Sequence, residues 1–156
     1  VVALFVDEPA DGIARTLAEV PVDVLQFHGD EPAEFCQRFD RPWIKAVRVR
    51  EGMDPVAACR PYYAARGILL DTWQEGVPGG TGETFDWRRT DAELPLPGVV
   101  AGGLNAGNVG EAMRVLRPAG VDVSGGVEST PGIKDSVRIR EFIAAVRAAD
   151  QQLDGP

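Results

Sequence analysis

One hundred and fifty-six residues, 44% hydrophobic and 26% charged, fit one globular domain and exclude a disordered tail, a coiled coil and a disulfide mini-scaffold. Sixteen Lys and Arg against 24 Asp and Glu leave a net charge of −8, so no general attraction to nucleic acid or an anionic membrane is expected and any bound anion must be held locally. No apolar stretch approaches the roughly 20 residues of a membrane span, and no charged-then-apolar leader is read, so a cytoplasmic chain with reduced Cys36 and Cys59 is expected.

The first apolar run, Val1 to Val6, reads as a strand, and the chain therefore begins inside one. The second, Val22 to Phe27, leads into His28-Gly29-Asp30-Glu31. Pro32, Phe35, Cys36 and Phe39 then fall at helical spacing, with Pro32 suited to the first turn and Asp30 or Glu31 to the cap. The third run, Trp43 to Val49, carries Lys45 and Arg48. Arg48 near its end either meets an anion or runs its stem along the surface to water. Cys59 lies on or near a further helix, and like Cys36 it reads as a packing residue. The fourth run, Gly67 to Asp71, precedes the longest loop, Thr72 to Thr84, with Gly79-Gly80-Thr81-Gly82 inside it. The fifth, Gly98 to Ala101, continues into Gly102-Gly103-Leu104 and Asn105, a cap for a helix bearing Val109, Ala112, Met113 and Leu116. The sixth, Val121 to Ser124, runs into Gly125-Gly126-Val127, and a helical stripe of Ile139, Phe142, Ile143 and Val146 follows.

Short runs rich in Val, Ile and Leu, without clean polar alternation, are how strands buried on both faces of a parallel sheet read. Alternating with helices about every 24 residues, they indicate βαβ units closing a (βα)8 TIM-barrel type fold. Eight such units need roughly 192 residues, so six are expected here, the third to the eighth. Residues 1–156 then form a single barrel domain that is incomplete at its N-terminal side.

Polar residues at the C-terminal strand ends of such a barrel face the site. With period-2 alternation Leu69 and Asp71 share one face, and if that face is the lumen Asp71 sits at its rim, either as a general acid or as a loop-ordering carboxylate. Two glycine pairs after consecutive strands, Gly102-Gly103 and Gly125-Gly126, point to a phosphate held on backbone N–H groups, without need of Lys or Arg. His28 is the only histidine and has no strand-end Ser or Cys partner, which argues against a nucleophilic triad and leaves substrate contact or a structural hydrogen bond. Asp23 and Asp122 lie in Val-Asp-Val triplets, where a carboxylate needs a polar lumen or a partner. Asp122, two residues before a glycine pair, is the better candidate.

These signatures together, Leu25-Gln26-Phe27-His28-Gly29-Asp30-Glu31, Ile44-Lys45-Ala46-Val47, Leu69-Leu70-Asp71-Thr72, Gly79-Gly80-Thr81-Gly82 with Phe85-Asp86-Trp87, Ala101-Gly102-Gly103-Leu104 with Asn108-Val109, and Gly120-Val121-Asp122-Val123-Ser124 with Gly126-Val127-Glu128, Pro131-Gly132 and Lys134-Asp135, resemble phosphoribosylanthranilate isomerase of tryptophan biosynthesis. The resemblance runs from residue 1 to about Val146. It implies a barrel without metal or cofactor that performs an Amadori rearrangement on a phosphosugar, as a monomer or homodimer. Asp71 maps onto the acid that opens the furanose ring, Gly102, Gly103, Gly125 and Gly126 onto the phosphate loops, and Asp122, His28, Gln26 and Ser124 onto substrate contacts. The last strand here ends Ser124-Gly125-Gly126 where the family's usually ends Ser-Ser-Gly, which removes one hydroxyl donor from the phosphate site. The family's general base, a Cys ending its first strand, and an Arg after its second have no match in these residues. The 156 residues alone are therefore expected to be catalytically incompetent, with alternatives in a phosphate-binding remnant, an assembly partner or a related phosphosugar barrel.

Overall fold

The computed structural model describes residues 1–50, 52–71 and 94–153. Six strands, β1 (Val2–Phe5), β2 (Val24–Phe27), β3 (Trp43–Arg48), β4 (Gly67–Asp71), β5 (Gly98–Ala101) and β6 (Gly120–Val121), lie parallel in chain order in one sheet. The first five fall within the first five apolar runs, trimmed at several ends, whereas β6 shares only Val121 with the expected Val121 to Ser124 run, starting at Gly120 and ending before Asp122. Among the described residues the helices are α1 (Ala10–Glu19), α2 (Ala33–Cys36), α3 (Pro55–Cys59), α4 (Val109–Leu116) and α5 (Ser136–Leu153). A short antiparallel hairpin of β7 (Glu128–Thr130) and β8 (Ile133–Lys134), which the sequence did not announce, follows β6. The Gly79 to Gly82 stretch and Phe85-Asp86-Trp87 lie outside the described residues.

Strand alternation divides the sheet into two faces. Leu25, Phe27 and Trp43 pack with Ile13, Cys36 and Ala65 on the helix side, and Val47, Ile68 and Leu70 pack there with Cys59. The opposite parity brings Ala46, Leu69 and Ala101 of three neighbouring strands together, with Val99 beside them. Among the described residues no helix residue enters that second cluster, which marks it as the lumen face, and Asp71 shares its parity with Leu69.

Three helical expectations are corrected. α2 spans four residues, because the chain turns after Cys36 to bring Phe39 onto Phe27 and Phe35, at ring-centroid distances of 6.0 and 5.5 Å. Neither Asp30 nor Glu31 caps it: Pro32 holds the cap position, and the Glu31 carboxylate turns inward instead. The cap position of α4 is Asn108 rather than Asn105, whose Oδ1 accepts from the Gly107 N–H in the preceding turn. α5 buries Phe142 and Ala149 and packs Ala145, Val146 and Leu153 against α4, while Ile139 and Ile143 stay 36% and 43% exposed. The small Ala149 allows close approach at Gly110, which rotates the buried stripe away from the two isoleucines. Asp135 starts α5, its Oδ1 accepting from the N–H groups of Val137 and Arg138, and those two bonds hold its carboxyl below the usual range.

Candidate functional site at the C-terminal strand ends

Parallel register fixes which residues share a level. Arg48, Asp71 and Ala101 are paired across β3, β4 and β5, and the Asp122 N–H donates to the Val100 carbonyl one step along. Asp71 and Asp122 are therefore about 10 Å apart at the backbone, two strand spacings, with only the small Ala101 between them. Asp122 itself is exposed just beyond β6, and Asp23 is exposed just ahead of β2, which removes Asp23 from the lumen.

His28 and Gln26 follow Val24 at two-residue steps and share the lumen face of the β2 end. The side chain of His28 reaches across the intervening β3, and its Nε2 lies 3.1 Å from Asp71 Oδ2. Gln26 Nε2 lies 3.0 Å from His28 Nδ1. An amide nitrogen only donates, so Nδ1 accepts, Nε2 carries the proton, and the histidine donates to Asp71. The Gln26 amide thereby favours a ring with its proton on Nε2. Both His28 and Asp71 are four-fifths buried, at 20% and 16% side-chain exposure, which keeps the contact largely out of water.

The second half of the site is built of backbone. Gly102 and Gly103 both take positive φ, 86° and 62°, where a residue with a Cβ is strained. Gly125 and Gly126 open a 3-10 turn that ends at the buried Val127. Gly126 is wedged against the β5–α4 connection: a Cβ there would sit 1.8 Å from the Leu104 carbonyl oxygen. The two glycine turns are therefore in direct backbone contact. A cavity of about 530 Å³ borders the Gly125-Gly126 turn and the β5–α4 connection from Asn105 onward, lined by Asn105, Gly107, Gly125, Gly126 and Arg138 together with the carboxylates of Glu128 and Glu141.

Sequence reasoning allowed for an anion held without Lys or Arg, and the structure sets two cations beside these turns. Arg138 lines the cavity. Lys134 Nζ donates to the Ser124 carbonyl at 2.9 Å, to Ser124 Oγ at 3.2 Å and to Glu128 Oε1 at 2.7 Å. Its ammonium holds the Glu128 carboxyl below its ordinary range, helped by the Gly132 N–H. The available signal for Lys134 was its place in a Pro-Gly-Ile-Lys-Asp run soon after the last glycine pair. Arg48, half-buried, donates to the His28 carbonyl at 3.2 Å, so it tethers the β2 end rather than running out to water.

Neither cysteine belongs to the site. Cys36 and Cys59 end α2 and α3, are fully buried, and have their thiols pushed up to about 11 by that burial. We expect neither to react with an aromatic disulfide reagent at pH 7.5 until the protein unfolds, since thiolate is the reacting form. Rapid native-state labelling of either, read by mass spectrometry of the peptides, would contradict this placement.

A sequence model described as N-(5'phosphoribosyl)anthranilate (PRA) isomerase matches residues 1–145. The chain belongs to the phosphoribosylanthranilate isomerase family. N-(5'-phosphoribosyl)anthranilate isomerase from Pseudomonas putida strain W619 is 55% identical over 148 residues, covering 95% of this chain and 72% of the relative. The crystal structure of phosphoribosyl anthranilate isomerase from Thermotoga maritima superposes with a TM-score of 0.82 at 38% identity, covering 94% of this chain and 72% of that one. Another structure of the isomerase, in complex with reduced 1-(o-carboxyphenylamino)-1-deoxyribulose 5-phosphate, matches with a TM-score of 0.77 at 36% identity and covers 94% of this chain and 71% of that one. The six parallel strands are accordingly of the TIM-barrel type. The family's activity is an intramolecular aldose–ketose isomerisation in tryptophan biosynthesis, the Amadori rearrangement of N-(5-phosphoribosyl)anthranilate to the 1-deoxyribulose 5-phosphate product. No helix among the described residues is long and apolar enough to cross a membrane.

Proposed function

We propose that Asp71 is the ring-opening acid of this rearrangement, that His28 and Gln26 hold it in position, and that the glycine turns carry the substrate phosphate. The observation behind the reading is the His28 Nε2 to Asp71 Oδ2 contact at 3.1 Å on the lumen face. Opening the furanose needs a proton delivered to the ring oxygen as the C1–O bond breaks and the anilino nitrogen lone pair forms the Schiff base. Asp71 gives up that proton and becomes a carboxylate. The His28 N–H then donates to a charged oxygen, and this bond strengthens as the charge forms. A donor whose contribution grows along the reaction path favours the transition state over the ground state. The C2 proton must then pass to a base, a role assigned to none of the described residues, giving an enolamine that takes a proton at C1 and releases the one on O2 to become the ketose. The buried Cys36 and Cys59 are ruled out for that second step by their place on the helix side.

The phosphate sits against Gly102, Gly103, Gly125 and Gly126, with Ser124 and Asp122 beside the sugar. Backbone N–H groups bind the dianion without flooding the site with mobile charge, which reconciles an anionic substrate with a net charge of −8. The same charge supports a protein that takes no nucleic acid. A Thermotoga maritima relative is described as dimeric, with monomers generated from it. For this protein either a monomer or a homodimer suits a site whose Asp71, His28 and glycine turns all come from one chain.

Lys134 clamps the Ser124 carbonyl and hydroxyl just ahead of Gly125 and adds positive charge near the phosphate. Because its side chain is 46% exposed, Lys134→Gln is expected to raise KM by only about two- to fivefold, the range of a solvent-screened pair, with kcat unchanged. Calorimetric titration with reduced 1-(o-carboxyphenylamino)-1-deoxyribulose 5-phosphate gives the matching loss of affinity. Unaltered affinity for that phosphorylated analogue, together with unaltered KM, would remove Lys134 from the phosphate site.

A further inference from the structure

Glu31 and Lys45 are 4% and 2% exposed, the buried charged residues of the described chain. By strand parity Lys45 belongs to the helix side, yet its Nζ bends to the C-terminal end of β2 and lies 3.2 Å from Glu31 Oε2. The same ammonium donates to the carbonyls of Phe27 at 3.3 Å, Gly29 at 2.6 Å and Ala46 at 3.1 Å, and its charge lies 5.5 Å from the Tyr62 ring centroid. Glu31 Oε2 also accepts from the Gly29 N–H at 2.9 Å, and Oε1 accepts from the Asp7 N–H at 2.8 Å. A buried ion pair is weak evidence for stability, because desolvation offsets most of the attraction. Its placement here has another consequence.

Every backbone polar group from the Phe27 carbonyl to the Gly29 carbonyl is engaged. Phe27 O and Gly29 O take Lys45, His28 N–H goes to Phe5 O at 2.8 Å, His28 O takes Arg48, and Gly29 N–H takes Glu31. The pair thus supplies three of the five tethers around the one histidine that touches Asp71. Asp7, at φ 51°, is drawn into the same knot, its Oδ1 accepting from the Asp30 N–H. Three strand ends, β1, β2 and β3, are locked together at the level of His28.

We propose that Glu31 and Lys45 are positioning residues for the rearrangement: the buried pair fixes the backbone on both sides of His28 so that its Nε2–H meets Asp71 in a single orientation. The proposal rests on the reading of Asp71 as the acid. It adds two residues on the helix side of the sheet to the machinery of a lumen-side proton transfer. Neither touches substrate, so their removal should leave phosphate binding intact and loosen only the donor on Asp71.

The test uses Glu31→Gln, which keeps size and one acceptor, and Glu31→Gln with Lys45→Met, which removes both charges and leaves no uncompensated ion. Partners that orient a reacting group are worth about 10- to 100-fold. In the protein completed with the N-terminal βα units expected to carry the base, we expect kcat to fall by that factor in the double variant with KM within threefold of the parent. Because the chain holds a single histidine, its ring 15N signals report the tautomer without ambiguity. The parent should show one Nε2–H tautomer, and the double variant a mixture. A folded double variant with kcat within threefold and an unchanged tautomer would overturn the proposal, as would a parent spectrum showing both tautomers. Asp71→Asn measured alongside separates the two readings: full activity there defeats the assignment of the acid, whereas the tautomer comparison speaks to the pair alone.

Discussion

In the protein completed with the N-terminal βα units expected to carry the base, Asp71→Asn is expected to lower kcat by about 10³-fold while leaving KM and thermal stability nearly unchanged. The substitution keeps size and shape, and an Asn carbonyl oxygen can still accept the His28 N–H that lies 3.1 Å from Oδ2. What it removes is the transferable proton. General acid catalysis is worth about 10²–10⁴-fold, and a thousandfold loss corresponds to about 4 kcal/mol of transition-state stabilisation. A side chain only 16% exposed has little water beside it to act in its stead, which keeps the expectation above the lower end of that range. The measurement is steady-state turnover of N-(5-phosphoribosyl)anthranilate, with melting temperature and affinity for the reduced product analogue as controls. A loss of kcat below tenfold would show that protonation of the ring oxygen is not Asp71's task. A loss accompanied by a collapsed melting temperature would point to a loop-ordering carboxylate, the other role its strand-end position allows.

The position of Asp71 was legible because strand alternation is a local rule. Leu69 and Asp71 must share a face, and the sheet pairs them with Ala46 and Ala101 on that face. The glycine pairs were legible because glycine marks local backbone demands: positive φ at Gly102 and Gly103, and close approach to the Leu104 carbonyl at Gly126. The Glu31–Lys45 pair was not. Alternation assigns Lys45 to the helix side, and only the length and flexibility of its stem carry the ammonium past the strand end to Gly29. Glu31, at the head of a helical stripe, has the local pattern of a cap, and a tertiary partner 14 residues on outcompetes that role. A signal existed nonetheless: a lysine amid Trp43-Ile44-Lys45-Ala46-Val47 is too costly to bury without a counter-charge. The β7–β8 hairpin escaped notice because strands of three and two residues carry no period, although Pro131-Gly132 marks its turn. The stripe on α5 misled because periodicity shows an apolar arc without saying which edge of it meets the neighbour, and Ala149 against Gly110 settles that by size.

Gly126→Ala should damage stability and phosphate binding together, and comparison with Gly125→Ala identifies the cause. A Cβ on Gly126 would stand 1.8 Å from the Leu104 carbonyl oxygen and 2.9 Å from its carbon, both backbone atoms that cannot rotate aside. Leu104 is 2% exposed and belongs to the core with Val100, Val109 and Val127, so pushing it away disturbs the packing beneath α4. Overpacking of this kind costs about 1–3 kcal/mol, equivalent to roughly 5–10 °C in melting temperature for a domain of this size. Accommodating the methyl requires the two glycine turns to part by about 1 Å. Amides aimed at one phosphate tolerate such a shift poorly, and an affinity loss of about 100-fold for the reduced product analogue is expected. A Cβ on Gly125 meets nothing within 4 Å, so Gly125→Ala should keep the parent melting temperature within about 2 °C. Its methyl would instead occupy space from which a phosphate must approach the backbone, and we expect roughly tenfold weaker analogue binding from that crowding alone. Equal affinity in Gly125→Ala and the parent would move the phosphate off the β6 turn, whereas a stable Gly126→Ala with parent-like affinity would mean that the two turns do not depend on each other.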